Sequence, residues 1–296
     1  MPFPKFSLRR SLAALLLVAL LLSGCSSPLE VLSHDNPDVR RLQKEHSTAV
    51  IPSLSQRKRL AIECGKRVSF IIAGNHNRLS LTSGRAAAIS PDGYYLTAYH
   101  VVESGPFYLS DFEIDSTQEK KLNANGFLLQ AHDKETKIPG RLVWSNKKAD
   151  LAIIKFAQKT PHYFKQFAFP LKRNSVVFSS DDHGFVALPS NFKSIEQVQS
   201  SAVGNGPYFS AGHVLFSQLF THGPGVHTIG ISLIARGGMS GGPIVTLDGQ
   251  LCGVLSLAGL TYEKVEKKVQ LVPRSTARML PPATLRDIIQ RDRAKL

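Results

Sequence analysis

The sequence predicts an all-β protein. Helical periodicity is weak through the middle of the chain. Short runs rich in β-branched and aromatic residues recur there, separated by Gly, Pro, Asn and Asp. Twice an Asp-Gly pair sits between two apolar runs, which is a strong local signal for a hairpin. Many short strands at fairly regular spacing suit a sandwich or a barrel. The 296 residues, 43% hydrophobic and 20% charged, are enough for a substantial core and ordinary for a globular protein.

Taken in order, the first strand is expected at residues 68–72. A hairpin follows at 86–90 and 94–98, turned by Pro91, Asp92 and Gly93. Further strands are expected at 126–131, at 140–144, and at 151–156, where the apolar run is continuous. After a Phe-rich stretch come 175–179, 184–188, 212–218 and 227–233. The last hairpin is 242–246 and 250–256, turned by Leu247, Asp248 and Gly249. Helices are expected only towards the ends. Asn36 and Pro37 read as an N-cap and a first helical residue for a short helix to about residue 45. Residues 55–66 place Leu60, Ala61 and Cys64 on one face, and 283–294 form an amphipathic helix around Leu285, Ile288 and Ile289.

Residues 1–24 stand apart from this body. Lys5, Arg9 and Arg10 precede an apolar run at 12–22 that is too short for a comfortable membrane span and is followed by small residues, the pattern of a secretory signal. Leu22-Ser23-Gly24-Cys25 resembles the lipobox of bacterial lipoproteins, which implies acylation of Cys25 as the mature N-terminus. Ser26 follows it, and in Gram-negative relatives a residue other than Asp there favours the outer membrane, facing the periplasm. Residues 25–54 then form a tether and 55–296 the folded domain.

The formal net charge is +14; three of these charges lie in residues 1–24, which leaves +11. A basic surface favours anionic lipid headgroups or acidic partners, and its plainest role is solubility. Nucleic acid is not an expected partner, because export separates the protein from it and no binding motif occurs. Beside Cys25 the chain has Cys64 and Cys252, which in an exported protein either form a disulfide or stay as two buried thiols. No His-Glu-x-x-His or similar spacing occurs, so neither a metal nor another cofactor is expected, and His222 and His227 read as loop residues.

Three segments carry chemistry. Residues 89–102 end in Thr97-Ala98-Tyr99-His100-Val101-Val102, just past a strand. Ala149-Asp150-Leu151-Ala152 puts a carboxylate at the head of an apolar strand. Gly237-Gly238-Met239-Ser240-Gly241-Gly242-Pro243 surrounds a serine with glycines. A serine hydroxyl is a poor nucleophile until a base takes its proton. A histidine does so and returns the proton to the leaving group, while a buried carboxylate fixes its tautomer. Glycines let backbone N–H groups turn towards a developing oxyanion. Each segment alone is weak. Together, in the order His100, Asp150, Ser240, they make a candidate catalytic triad.

These segments resemble the trypsin-like serine peptidases, closest to the bacterial HtrA/Deg-type branch, whose motifs read Ile-Ser-x-Asp-Gly-x-x-Leu-Thr-x-x-His-Val-Val, Asp-Leu-Ala-x-x-Lys and Gly-x-Ser-Gly-Gly. The resemblance covers about 67–259. It implies a chymotrypsin-like fold of two six-stranded Greek-key barrels, at about 67–158 and 172–280, with the triad between them. It implies an oxyanion hole from the N–H groups of Gly238 and Ser240, and substrate backbone pairing with Ser256, Leu257 and Ala258. In trypsin an Asp six residues before the serine reads basic side chains; here that residue is Ile234, and Leu255 stands where glutamate-specific relatives carry His. An apolar pocket for Val, Ala or Leu is therefore expected.

Three departures stand out. Tyr99 replaces a small residue and is expected to crowd the cleft floor. Met239 replaces an Asp used for activation in vertebrate-type relatives. The 56 residues after Ser240 leave no room for a PDZ domain beside the rest of the barrel. The expected activity is serine endopeptidase, acting on proteins or peptides, with homo-oligomer formation left open. A catalytically silent relative that binds proteins at the membrane is the alternative. An esterase is disfavoured by the His–Asp–Ser order and the lack of a nucleophile elbow.

Overall fold

The structure is a computed structural model that describes residues 52–74, 81–110, 138–181, 208–219, 225–233, 235, 239–257, 260–265 and 268–296. The expected helix at 36–45 and strands at 126–131 and 184–188 lie outside these residues. Two closed six-stranded barrels form the body, as the sequence led us to expect.

The first barrel is built from β1 (Val68–Gly74), β2 (Leu81–Ala88), β3 (Tyr94–Thr97), β4 (Phe107–Ser110), β5 (Ile138–Asn146) and β6 (Leu151–Phe156), in the spatial order β1-β2-β3-β6-β5-β4. The second uses β7 (Val176–Asp181), β8 (Tyr208–Leu219), β9 (His227–Ile231), β10 (Pro243–Val245), β11 (Leu251–Leu257) and β14 (Ser275–Met279), in the order β7-β8-β9-β14-β11-β10. Between β11 and β14 the chain makes a separate two-stranded hairpin, β12 (Leu260–Val265) and β13 (Lys268–Pro273). The strand order, with β3 beside β6, is a Greek key.

The apolar runs explain why the barrels sit where they do. Along β6, Ala152, Ile154 and Phe156 fill the first barrel, where Phe156 meets the edges of Tyr95 and Phe107 with ring centroids 5.5 and 6.0 Å apart. Leu151 and Ile153, on the opposite face, join the larger cluster that fills the second barrel. Tyr94 and Leu96 of β3 do the same, while Tyr95 faces inward. A strand buried on both faces reads as a continuous apolar run, with the period-2 alternation hidden.

Two helices close the body. In α1 (Leu54–Gly65), the Ser53 side chain accepts from the Gln56 N–H at 3.2 Å and the Gln56 side chain accepts from the Ser53 N–H at 2.7 Å, a capping box. Its buried face carries Leu60, Ala61 and Cys64, as expected, together with Arg57. At the other end, α3 (Pro282–Arg293) buries Leu285 and Ile289 in the larger cluster. Asp292 ties it to the first barrel by accepting from Tyr94 Oη at 2.7 Å and from the Arg141 guanidinium. Arg293 also pairs with Asp92 in the β2–β3 turn. His227 opens β9, within the strand expected at 227–233 and not in a loop, with its ring edge-on to Phe169 at 4.6 Å.

Cys64 in α1 and Cys252 in β11 are both fully buried and stand as separate thiols, so the bridge that the sequence allowed is not formed. Burial pushes the Cys252 thiol up to about 12.

Candidate active site

His100 sits in α2 (Tyr99–Val102), a single turn after β3. Val101 and Val102 are buried in the first barrel and anchor this turn, which leaves the His100 ring to face out. Asp150 lies 50 residues on, in the turn that leads into β6. Its N–H donates to Lys147 O, and the preceding Ala149 N–H donates to Asn146 Oδ1. Asp150 has φ of +51°, in the left-handed region. Asp tolerates that region better than most residues, at a cost on the order of 1 kcal/mol or more. The reversal aims its carboxylate back at α2.

There the carboxylate is fully engaged. His100 Nδ1 lies 2.9 Å from Asp150 Oδ2 and 3.1 Å from Oδ1, and the His100 backbone N–H donates to Oδ1 at 2.9 Å. Ser256 Oγ donates to Oδ2 at 2.6 Å. A carboxylate only accepts, so Nδ1 carries the proton and Nε2 is left as the basic nitrogen. The electrostatics follow. Burial pushes the Asp150 carboxyl up, but the hydrogen bonds from the His100 ring, Ser256 and the His100 backbone outweigh it and hold Asp150 below the usual carboxylate range. The hydrogen bond to Asp150 lifts His100 above its ordinary value, against a downward pull from burial and with help from the charges of Asp150 and Glu103.

Ser240 comes from the turn before β10, and both barrels hold that turn. The Ser240 carbonyl accepts from Arg85 N–H of β2 at 2.8 Å, Gly241 N–H donates to Leu255 O of β11 at 2.7 Å, and Leu255 N–H donates to Gly242 O at 2.8 Å. Gly241 has φ of +79°, and a Cβ there would overlap the Arg85 carbonyl and Thr97 Oγ1. Gly84 faces the same turn; a Cβ on it would sit 2.7 Å from Ser240 O and clash with Val101. Glycine is required at both positions because backbone packs directly on backbone.

His100, Asp150, Ser240, Ser256 and Leu257 line one cleft of about 590 Å³, with Tyr99, Glu103, Lys147 and Arg278 completing it. The model of the trypsin-like peptidase domain matches residues 83–254, more than half of the chain. The chain belongs to the trypsin-like peptidase family. Among solved structures, the active form of the Rv3671c protease from M. tuberculosis matches with a TM-score of 0.48 and 16% identity, over 78% of this chain and 82% of that one. No curated protein matches.

In this trypsin-like peptidase, the other residues singled out from sequence fall as follows. Ser256 is the extra residue of a bulge, between the pairs Leu255–Ala277 and Leu257–Thr276. A bulge re-aims a side chain, and here it lets Ser256 Oγ reach Asp150 while the neighbouring Leu257 stays 60% exposed in the cleft. Ile234, Gly238, Ala258 and Cys25 lie outside the described residues. Tyr99 lines the cleft, and Lys147, which pairs with Glu103, has its Nζ 5.9 Å from the Tyr99 ring centroid. Met239 is buried in the larger core cluster, which accounts for an apolar residue there.

Two contributions escaped sequence reading. Ser256 was expected only to pair with substrate, and its hydroxyl also holds Asp150. Arg278 was not singled out at all. It donates to Thr228 Oγ1, lines the cleft and is electrostatically coupled to Asp150. On a strand whose residues alternate between buried and half-buried, an arginine reads as solvent-facing, so no local signal marks it.

Proposed function

We propose that the protein is a serine endopeptidase of the HtrA/Deg-type branch, with Ser240 as nucleophile, His100 as general base and acid, and Asp150 as the group that orients His100. The supporting observation is the Ser256–Asp150–His100 hydrogen-bonded chain opening into the cleft that Ser240 shares. In resting sites the contact between base and nucleophile is often long and tightens with substrate.

His100 Nε2 takes the proton from Ser240 Oγ as Oγ bonds to the scissile carbonyl carbon. The carbonyl oxygen becomes an oxyanion, received by the N–H groups of Gly238 and Ser240. The C–N bond breaks as Nε2 returns the proton to the leaving amine, and an acyl group remains on Ser240. Water then attacks by the same route in reverse, His100 again taking and returning a proton. Asp150 stabilises the imidazolium formed in each half without itself being protonated. Substrate backbone pairs with Ser256, Leu257 and Ala258, and Ile234 makes the pocket for the cleaved residue apolar.

The signal at 1–24 and the Cys25 lipobox support a lipid-anchored protein of the bacterial cell envelope, with Ser26 favouring the outer membrane. An internally quenched peptide library tests the whole reading. Cleavage after Val, Ala or Leu, abolished by Ser240→Ala, is the expected result. No cleavage by the folded protein would favour a silent, protein-binding relative, and cleavage mainly after Arg, Lys or Glu would overturn the pocket assignment.

A further inference from the structure

The outward face of α1 is unlike the rest of the helix. Lys58, Arg59, Ile62 and Lys66 are exposed there, one turn apart, opposite the buried face of Leu60, Ala61 and Cys64. Ile62 is 49% exposed although it lies among cations. A scattered exposed isoleucine needs no explanation, but one ringed by basic residues on a helix face gives a cationic surface with an apolar centre, chemistry that suits anionic headgroups over an acyl boundary. The positive surface continues beyond the helix. Arg67 sits over the Phe164 ring, 5.4 Å from its centroid, and Lys165 next to it is exposed. The acid on this face is Glu63, already bonded by Lys66 at 3.0 Å and Arg67 at 3.3 Å.

We propose that this face of α1, with Ile62 at its centre and Lys58, Arg59, Lys66, Arg67 and Lys165 around it, docks the peptidase domain onto an anionic phospholipid surface. The proposal rests on the lipid-anchor reading in one respect. Ser53, which caps α1, lies 28 positions after Cys25. Such a length reaches at most about 90–100 Å when extended, so the anchor alone does not set the domain's orientation. It does hold the domain at an effective concentration on the order of millimolar near the bilayer, where a weak patch is enough. Each basic residue near an anionic surface adds about fivefold to the affinity. None of the docking residues lines the cleft, so docking through them takes no side chain from it.

The test uses mature protein from cells expressing the full chain with Ile62→Trp, placed in vesicles of phosphatidylcholine with or without phosphatidylglycerol. Brominated lipids quench a tryptophan that enters the interface, and the wild-type protein gives the background from Trp144. The expected result is quenching at position 62 in anionic vesicles, lost in high salt and in Lys58→Glu/Arg59→Glu. Equal access of acrylamide to position 62 in both vesicle types, or quenching indifferent to charge reversal, would overturn the proposal. The mass of the mature N-terminus reports separately on acylation. If Cys25 proves unmodified, the same protein added from solution should still prefer anionic vesicles by at least about tenfold. Loss of that preference would sink the docking surface on its own account, and binding only to an acidic protein would do the same.

Discussion

The two barrels bring their groups to the cleft by different means. The first supplies His100 and Asp150 through side-chain hydrogen bonds, set up by a one-turn helix and a left-handed turn. The second supplies Ser240 through backbone, with Gly241 pressed against Arg85 of the first barrel and Leu255 stitched on the other side. A change in the first half therefore alters charge and tautomer while the fold survives. A change in the second half alters the position of Ser240, the proposed nucleophile, and the seam between barrels together.

The largest separating effect is expected at Asp150. Asp150→Asn keeps the shape but lets the wrong imidazole nitrogen carry the proton, so kcat should fall on the order of 10⁴-fold with little change in urea unfolding. The pH profile adds a sign. As the proposed base, His100 must be neutral to act, and its raised pKa is expected to put the acid limb of kcat/KM above the ordinary histidine value of about 6.5. Removing the carboxylate removes the cause of that rise, so the residual activity of the variant should have its limb at lower pH.

Gly241→Val probes the other half. It places a Cβ into the Arg85 carbonyl at positive φ. Both activity and stability should drop, the latter by about 1–3 kcal/mol in urea unfolding. Stability equal to wild type would show that the turn is not held between the barrels as described.

Smaller effects should follow from the groups around Asp150. Ser256→Ala removes one hydrogen bond to a charged acceptor, worth about 1.5 kcal/mol, so kcat/KM should fall about tenfold. Arg278→Met removes a positive charge coupled to Asp150. Protonation of His100 then becomes easier, and the acid limb should move to higher pH by a fraction of a unit, with Arg278→Lys restoring it. An unchanged limb would mean that Arg278 only packs against Thr228.

Much of this was legible in the sequence where local chemistry dictates the answer. Asp92-Gly93 and Asp248-Gly249 marked the two hairpins, and Gly93 and Gly249 do adopt positive φ. The apolar run at 151–154 marked the strand β6, and the structure buries it on both faces. What stayed hidden has physical reasons. Strand β4 is four residues long and follows Gly105-Pro106, too short for an alternating pattern to register. No strand was expected at 260–273, where Glu263, Lys264 and Lys268 interrupt the apolar residues and the β12–β13 hairpin forms a two-stranded sheet of its own. At the site, the three triad candidates were visible because their neighbours are constrained by the chemistry. Arg278 lies 128 positions after Asp150 and in the other barrel, and only the packing of the two barrels brings them to one cleft.

The most direct test of the central claim, that Ser240 is the nucleophile served by His100, is to label the mature protein with a fluorophosphonate and map the adduct by peptide mass. The account predicts a single adduct on Ser240 that disappears in Ser240→Ala and His100→Ala, with a labelling rate that falls as pH drops through a value above the ordinary histidine pKa. An adduct on Ser256 or elsewhere, or no adduct on the folded wild-type protein, would contradict it.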